Sequence, residues 1–374
     1  MKKITICSPQ LGISPESNSG GEVYDREVIK HLCKAGVSSL VYLPKKRSYP
    51  KISGLKVFYA PIKTMFPPYI FNFFVFPFLL KTYKNYRFDI LRVHSPYFVG
   101  PAALLFKYFH HSVPLVASYL HLEEKSLLQP LIDKFAIKKF NHIITISNFT
   151  KKEIRKQYNV SSKKITVAYP GIEEKFKTQE KSSYLIGKYN LKNKKALLFL
   201  GGLKQRKNPL FLLDVFRKIN DKQAILLVAG DGPLKSKLIQ KVQNLGLEDK
   251  VIFTGFVPEE SKVKIYNLSD IVLLPSTKEG FGMIVAEAGA CGKPVIASDN
   301  SSLPEIIKNN KTGFLAETNN INDWVAKTKI LLKNKGLRRL MGQRAIKYVR
   351  NKFSWQKNAE KHIKVFEKLK TSSS

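Results

Sequence analysis

Short apolar runs alternate with helix-length segments along the chain, and each run ends in turn residues. In the first half these runs are KITICSPQ, SSLVYLP, FDILRVHS, PLVASYLH, HIITIS and KITVAYPG. This alternation is typical of βα units, which build a mostly parallel sheet with helices on its faces. The pattern predicts an α/β domain over residues 1–180.

The alternation restarts after a polar stretch that follows Pro170 and Gly171. The second set of runs is ALLFLGG, AILLVAGDGP, VIFTGF, DIVLLPS and KPVIASD, which predicts another parallel sheet over residues 181–352. Ligands of such sheets bind beyond the carboxyl ends of the strands. We therefore predict two Rossmann-like domains whose parallel sheets face a central cleft.

Two other segments carry apolar positions with a bearing on function. Apolar residues recur through 353–370, which predicts a terminal amphipathic helix. The run YIFNFFVFPFLL at 69–80 is too short for a membrane-spanning helix and contains a proline, which favours a core helix. A helix lying in a membrane surface stays open as the alternative, because Lys81, Lys84 and Arg87 follow directly.

The charge of the chain is strongly unbalanced. Among 374 residues, 64 Lys and Arg stand against 28 Asp and Glu, which gives a formal net charge of +36. Such a field favours anionic partners, namely nucleic acid, an anionic membrane face or phosphorylated substrates, although a Lys-rich solvated surface has the same composition. Both halves are basic, whereas a nucleic-acid-binding protein would concentrate its cations in one stripe. Nucleic acid is therefore the least favoured of these partners.

Cysteine usage and the N-terminus bear on the compartment. Cys7, Cys33 and Cys291 lie far apart without a CxxC pair, which argues against a disulfide framework or a zinc site. The N-terminal residues lack the apolar region of a signal peptide. We therefore expect a cytoplasmic protein.

The segment STKEGFGMIVAEA places a carboxylate, Glu287, in a helix that is apolar on nearly every side. A buried carboxylate needs hydrogen-bond donors, which come either from the protein or from a ligand. Gly280 and Gly282 leave the start of this helix open, so a phosphate can reach free backbone N–H groups. The alternative is that Glu279 complements the helix N-terminus while Glu287 pairs with a core lysine or arginine.

Two loops after predicted strands are further candidates for phosphate binding. The run GGLKQRKNP at 201–209 carries Lys204, Arg206 and Lys207 before a helix, and these cations suit a diphosphate, although a solvated loop has the same composition. Gly20 and Gly21 lie between the first strand and a helix, where backbone amides also bind phosphate.

Two histidines, His94 and His121, end predicted strands. A histidine at a strand end is more often a hydrogen-bonded structural residue than a catalyst. Both are nonetheless expected at the edge of the cleft.

Together these stretches resemble the retaining glycosyltransferases of family 4, whose GT-B fold has two Rossmann-like domains around a cleft. The resemblance covers nearly the whole chain, and its most specific part is the EGFGxxxxE element that begins at Glu279. It implies transfer of a hexosyl group from a nucleotide-diphosphate sugar, with retained configuration and without a metal or other cofactor. A nucleotide-sugar epimerase or phosphorylase shares the architecture and stays open as the alternative.

The acceptor implied by this reading is a glycan or a polyprenyl-linked or other lipid-linked sugar. The basic charge and the aromatic segment at 66–80 favour an acceptor at the inner face of the membrane, in the synthesis of cell-envelope polysaccharide or glycolipid. A soluble acceptor, which needs neither feature, stays open as the alternative. We therefore expect peripheral contact with an anionic membrane.

The resemblance also implies roles for individual residues. Glu279, His121 and Lys207 would be catalytic, with Glu279 near the donor sugar, His121 facing the reacting sugar and Lys207 neutralising the diphosphate. Glu287 would bind the ribose, and Phe256 and Val257 would contact the nucleobase. The full set expected to bind the donor is Gly20, Gly21, Arg206, Lys207, Phe256, Val257, Glu279, Phe281, Gly282, Met283 and Glu287.

The chain departs from the family pattern at two points. Many relatives have Gly-Arg where this chain has Gly201 and Gly202, so Lys204 or Arg206 would have to supply the missing cation. Many also have Gly-Gly where this chain has Ser301 and Ser302. Contacts to the donor sugar from that second loop are therefore not carried over.

Overall fold

The structure is a computed structural model that describes residues 4–9, 20–44, 51–61, 68–94, 96–120 and 134–372. The chain forms two compact units. The first comprises Met1–Gly171 together with Ser354–Ser374, and the second comprises Ile172–Phe353. The domain boundary that we place between residues 180 and 181 thus falls inside the second unit.

The first unit contains a parallel sheet of seven strands. These are β1 (Thr5–Ser8), β2 (Ser38–Pro44), β3 (Leu55–Ala60), β4 (Ile90–His94), β5 (Leu115–Tyr119), β6 (His142–Thr145) and β7 (Ile165–Val167). The spatial order is β3-β2-β1-β4-β5-β6-β7, and every neighbouring pair is parallel. Its principal helices are α1 (Gly20–Lys34), α2 (Pro68–Tyr86), α3 (Pro96–Phe109), α4 (Asn148–Tyr158) and the terminal helix, Trp355–Thr371.

The strands at the centre of this sheet are buried on both faces. All five residues of β5 are buried, and so are the first four of β4. Their near-continuous apolar sequence is what a parallel strand needs when helices cover both faces of its sheet. Phe88, Phe106 and Phe140 contribute to the core between the sheet and its helices.

The terminal helix packs on α1 within the first unit. Its N-cap is Ser354, whose hydroxyl accepts a hydrogen bond from the backbone N–H of Lys357. The ring of Trp355 lies 5.8 Å from that of Tyr24 and 5.8 Å from that of His31. Burial of this large aromatic side chain stabilises the contact between the terminal helix and α1.

The second unit contains a parallel sheet of six strands. These are β8 (Lys195–Leu200), β9 (Ala224–Ala229), β10 (Val251–Gly255), β11 (Ile271–Leu274), β12 (Val295–Ser298) and β13 (Gly313–Ala316), in the order β10-β9-β8-β11-β12-β13. The helices are α5 (Ser183–Lys188), α6 (Pro209–Ile219), α7 (Lys235–Asn244), α8 (Lys262–Leu268), α9 (Met283–Ala290), α10 (Leu303–Ile306), α11 (Ile321–Lys333) and α12 (Lys335–Lys352); the terminal helix of the first unit is accordingly α13. The prediction of two parallel Rossmann-like sheets is confirmed.

The aromatic run at 69–80 forms part of α2. One side of this helix is in the core of the first unit, where Val75 and Leu79 are fully buried. The other side carries exposed apolar residues, so the expectation of a core helix holds for one face only. In the described part of the chain, no helix is both long enough and apolar enough to cross a membrane.

Candidate functional site

Glu279 is a buried carboxylate that lies between two cations of the second unit. The Nζ of Lys207 donates a short hydrogen bond to Oε1 of Glu279, and Nη1 of Arg206 lies 3.3 Å from Oε2. Burial by itself would raise the pKa of Glu279, but the neighbouring Lys207 and Arg206 hold that pKa below its ordinary value. Glu279 is therefore an ionised acceptor, and the structure brings together three residues singled out from the sequence.

The backbone around Glu279 is fixed by the loop after β12. The hydroxyl of Ser301 accepts a hydrogen bond from the N–H of Glu279 at 3.0 Å, and the hydroxyl of Ser302 donates to its carbonyl oxygen at 3.0 Å. Ser301 has φ of 47°, in the left-handed region. The two serines that depart from the family pattern thus hold the peptide of Glu279, a role that the sequence analysis missed.

Gly282 ends the turn and forms the N-cap of α9. Its φ is 89°, and a Cβ at this position would lie 2.8 Å from Cδ2 of Leu303, so both backbone conformation and space require glycine. The cap has no side-chain hydrogen bond to the first turn of the helix. Lys207, Arg206 and the positive end of α9 together form a cationic setting in which an anionic group is stabilised.

Glu287 lies in the middle of α9 and has donors within the protein. The hydroxyl of Tyr266 donates to Oε2 at 2.7 Å, and the Nζ of Lys262 lies 3.8 Å from Oε1. Lys262 also pairs with Glu259 at 2.6 Å. Burial raises the pKa of Glu287, and Lys262 and Tyr266 only partly oppose this effect. Glu287 therefore has a lysine nearby, as one of the two alternatives from the sequence requires. It also has a tyrosine as hydrogen-bond donor, which was not predicted from the sequence.

The other predicted donor-binding residues of the second unit differ in accessibility. Phe256 follows β10 and is 55% exposed, whereas Val257 is buried beside it. The ring of Phe281 is also buried, with its centroid 5.1 Å from that of Phe353 in an edge-to-face contact. Phe281 therefore offers only its backbone to a ligand, as does Gly282, while the side chain of Met283 is partly exposed.

In the first unit, Gly20 and Gly21 are the first residues of α1. A Cβ at Gly21 would lie 2.9 Å from Cδ1 of Leu120, so this glycine lets the start of α1 approach the end of β5. His121 lies outside the described residues, and its expected role stays a prediction.

A buried charged cluster lies beneath α1. Nη1 of Arg92 donates to Oδ1 of Asp25 at 2.6 Å and to the hydroxyl of Ser8 at 3.2 Å. Nδ1 of His94 lies 3.3 Å from the same oxygen of Asp25, and burial lowers the pKa of this histidine. The sequence analysis missed the pairing, although an arginine inside the apolar strand ILRVH signals that a buried carboxylate must be near.

Two family models match consecutive parts of the chain. The model of glycosyltransferase family 4 matches residues 18–176, and the model of group 1 glycosyl transferases matches residues 185–348. The two matched ranges together cover most of the chain.

Individual proteins show the same relationship. The chain is 26% identical over 373 residues to N-acetyl-alpha-D-glucosaminyl L-malate synthase of Bacillus anthracis, covering 96% of this chain and 95% of that protein. It is 30% identical to a glycosyltransferase of Methanocaldococcus jannaschii over 60% of this chain and 59% of that protein. The structure of HepE from Anabaena in complex with UDP has a TM-score of 0.77 and 18% identity, over 98% of this chain and 100% of HepE. With a Rossmann-like sheet in each unit and two family models matching consecutive parts of its sequence, the chain belongs to glycosyltransferase family 4 and has the GT-B fold.

Proposed function

We propose that this glycosyltransferase moves a hexosyl group from a nucleotide-diphosphate sugar to a glycan or lipid-linked acceptor, with retention and without a metal ion. The observation that carries the proposal is the cluster of Lys207, Arg206 and Glu279 before the N-terminus of α9. HepE, which shares the fold, was solved in complexes with UDP and with UDP-glucose, and this supports a nucleotide sugar as the donor.

The chemistry assigned to the cluster is stabilisation of the leaving group. When the bond between the anomeric carbon and the diphosphate breaks, its electron pair moves to the diphosphate, where negative charge develops. Lys207, Arg206 and the amides at the start of α9 are positioned to stabilise that charge, and such preorganised groups make a large contribution to catalysis. The acceptor oxygen then bonds to the same face of the sugar, and its proton passes to the departing phosphate.

The remaining residues have positioning roles in this proposal. Glu279 accepts hydrogen bonds from hydroxyls of the donor sugar, and Glu287 accepts from the ribose through the oxygen that faces Lys262. Phe256 and Val257 contact the nucleobase. From the first unit, Gly20 and Gly21 approach the phosphates and His121 orients the sugar. The site of action is the cytoplasmic face of a membrane that carries the acceptor.

The donor is tested by the melting temperature of the purified protein with a panel of nucleoside diphosphates and nucleotide sugars. A ligand at 100 times its dissociation constant stabilises the folded state by about 2.7 kcal/mol. We expect one nucleoside diphosphate to raise the melting temperature and Lys207→Met to abolish the shift, while Lys222→Met, which changes an exposed lysine elsewhere in the second unit, retains it. If no nucleotide shifts the wild type, the proposal is wrong.

The reaction is tested with the sugar form of the nucleotide that binds. Release of the nucleoside diphosphate should require an acceptor, continue in the presence of EDTA and give a product of unchanged anomeric configuration by NMR. Conversion of the sugar without an acceptor would instead identify an epimerase. Consumption of inorganic phosphate would identify a phosphorylase.

A further inference from the structure

The outer side of α2 carries apolar residues that the core does not use. Phe73, Pro77 and Leu80 are exposed, and Phe73 is 83% exposed. They are four and three residues apart, so they lie on one face of the helix. Val75 and Leu79, on the opposite side, are fully buried. The exposed residues are therefore a second apolar face of α2.

The neighbouring helix α3 has the same character. Leu105, Tyr108 and Phe109 are 46%, 69% and 59% exposed. Ala103 and Phe106, on the other side of the helix, are fully buried. One side of α3 is therefore packed in the core, and the other side, which is mostly aromatic, is exposed.

The two outer faces adjoin each other. Oδ1 of Asn72 in α2 accepts a hydrogen bond from the N–H of Ala102 in α3 at 3.0 Å, and the ring centroids of Phe76 and Phe109 lie 6.1 Å apart. The two helices therefore pack against each other. We call the joint surface the aromatic face; it consists of Phe73, Pro77, Leu80, Leu105, Tyr108 and Phe109. Contiguous exposed apolar surface of this kind marks interaction sites.

The two helices that carry the aromatic face are basic. Neither α2 nor α3 contains an acidic residue. Lys81 and Lys84 continue the exposed stripe of α2, and Arg87 follows the helix. The only acidic residue in the sequence from 68 to 111 is Asp89, which pairs with Lys370 at 2.9 Å and accepts from the N–H of Thr5 at 2.8 Å. The cations at this surface therefore suit a negatively charged partner.

We propose that the aromatic face docks on the surface of an anionic lipid bilayer. Phe73, Tyr108 and Phe109 enter the headgroup region, and Lys81 and Lys84 bind the phosphates of anionic lipids. Aromatic and leucine side chains beside a basic stripe are the combination that holds a helix at a membrane surface. This docking rests on the proposed function, because it would bring the protein to a lipid-linked acceptor. Membrane binding can be tested without measuring catalytic activity.

The experiment measures binding of the full chain to vesicles by flotation. Vesicles contain equal parts of phosphatidylcholine and phosphatidylglycerol, and pure phosphatidylcholine serves as the comparison. We expect binding to the anionic vesicles only, and weaker binding at high salt. Lys81→Gln with Lys84→Gln should weaken binding about 30-fold, and Phe73→Ser with Tyr108→Ser should weaken it about tenfold or more.

Matched variants in the second unit control for total charge and total exposed apolar surface. Lys237→Gln with Lys329→Gln removes two exposed lysines, and Tyr184→Ser with Ile330→Ser removes two apolar side chains that are 71% and 47% exposed. Both control pairs should bind like the wild type. Circular dichroism and the nucleotide-induced melting shift check that every variant is folded.

Two outcomes would overturn the inference. They are no binding of the wild type to anionic vesicles, or equal loss of binding in the aromatic-face variants and the control variants. In the first case, self-association that is lost in Phe73→Ser with Tyr108→Ser would identify a second copy of the chain as the partner of the aromatic face. If the nucleotide shift persists in these cases, only the docking surface is wrong and the proposed function stands.

Discussion

Glu279 and Glu287 lie in one segment of the second unit and are both buried, yet their surroundings act on them in opposite directions. Glu279 has two cations in contact, and its pKa is lowered. Glu287 has a tyrosine in contact and a lysine at 3.8 Å that is shared with Glu259, and its pKa is raised. Burial alone does not decide the charge of a carboxylate, because the number and closeness of its cations determine whether desolvation is offset.

The two glutamates of this motif also differ in the parts of the fold that surround them. The cations beside Glu279 come from the turn before α6, whereas Glu279 itself lies in the turn before α9, where a ligand is expected. The donors to Glu287 come from α8, and Tyr266 is fully buried among core residues. Glu279 therefore lies where a ligand is expected to bind, whereas Glu287 also contributes to the packing of α8 against α9.

Lys207→Met is expected to remove most of the difference between the two carboxylates. Without Lys207, Glu279 keeps only the partly exposed Arg206 as a cation, and its surroundings come to resemble those of Glu287. We expect kcat/KM for sugar transfer to fall about 100-fold or more, as on removal of one preorganised charge-stabilising group. Steady-state kinetics measure the loss. Lys204→Met, at an exposed position of the same loop, should cost less than about tenfold, and an equal loss in both variants would contradict the special role of Lys207.

An intermediate effect is expected from Tyr266→Phe. This change removes the hydroxyl that donates to Glu287 and leaves a buried carboxylate with one distant cation. The expected destabilisation is about 2 kcal/mol in the free energy of unfolding, because a hydrogen bond to a charged group is lost in the interior. Urea unfolding measures it. Tyr184→Phe, at an exposed position, should leave the free energy unchanged, and so little change in Tyr266→Phe would show that Glu287 is stabilised in another way.

A smaller difference between the two carboxylates is expected in the dependence of stability on pH. The folded pKa of Glu279 lies below its ordinary 4.5, so the unfolded chain binds more protons and the stability that Glu279 contributes is lost as pH falls below about 4.5. The folded pKa of Glu287 lies above 4.5, so its contribution is greatest at low pH and is lost as pH rises through the folded pKa.

Glutamine variants test how the stability contribution of each carboxylate depends on pH. Relative to wild type, Glu279→Gln should become less destabilised as the pH is lowered, whereas Glu287→Gln should become less destabilised as the pH is raised. The free energy of unfolding by urea, measured from below pH 4.5 up to neutral pH, gives both differences. Differences that change with pH in the same direction would mean that the two carboxylates do not have opposite pKa shifts.

Much of the fold was readable from the sequence because it depends on local periodicity. Strands such as LVASY and AILLVA are continuous apolar runs because helices cover both faces of a parallel sheet. The segment around Glu279 was readable because glycine spacing and a buried carboxylate impose backbone and hydrogen-bond requirements wherever they occur. These constraints singled out both glutamates, and the resemblance to family 4 grouped them with Lys207 before any distance was known.

Which side chains form hydrogen bonds with each other follows only from the tertiary structure. Tyr266 reaches Glu287 across 21 residues of sequence, and Arg92 reaches Asp25 across 67, because the packing of helices on a sheet joins positions that no sequence period relates. From the sequence alone we predict the two Rossmann-like sheets, the family and the need for donors around Glu287. The structure supplied those donors, the serines that hold Glu279 and the exposed aromatic side of α2 and α3, since burial and pairing depend on contacts between distant parts of the chain.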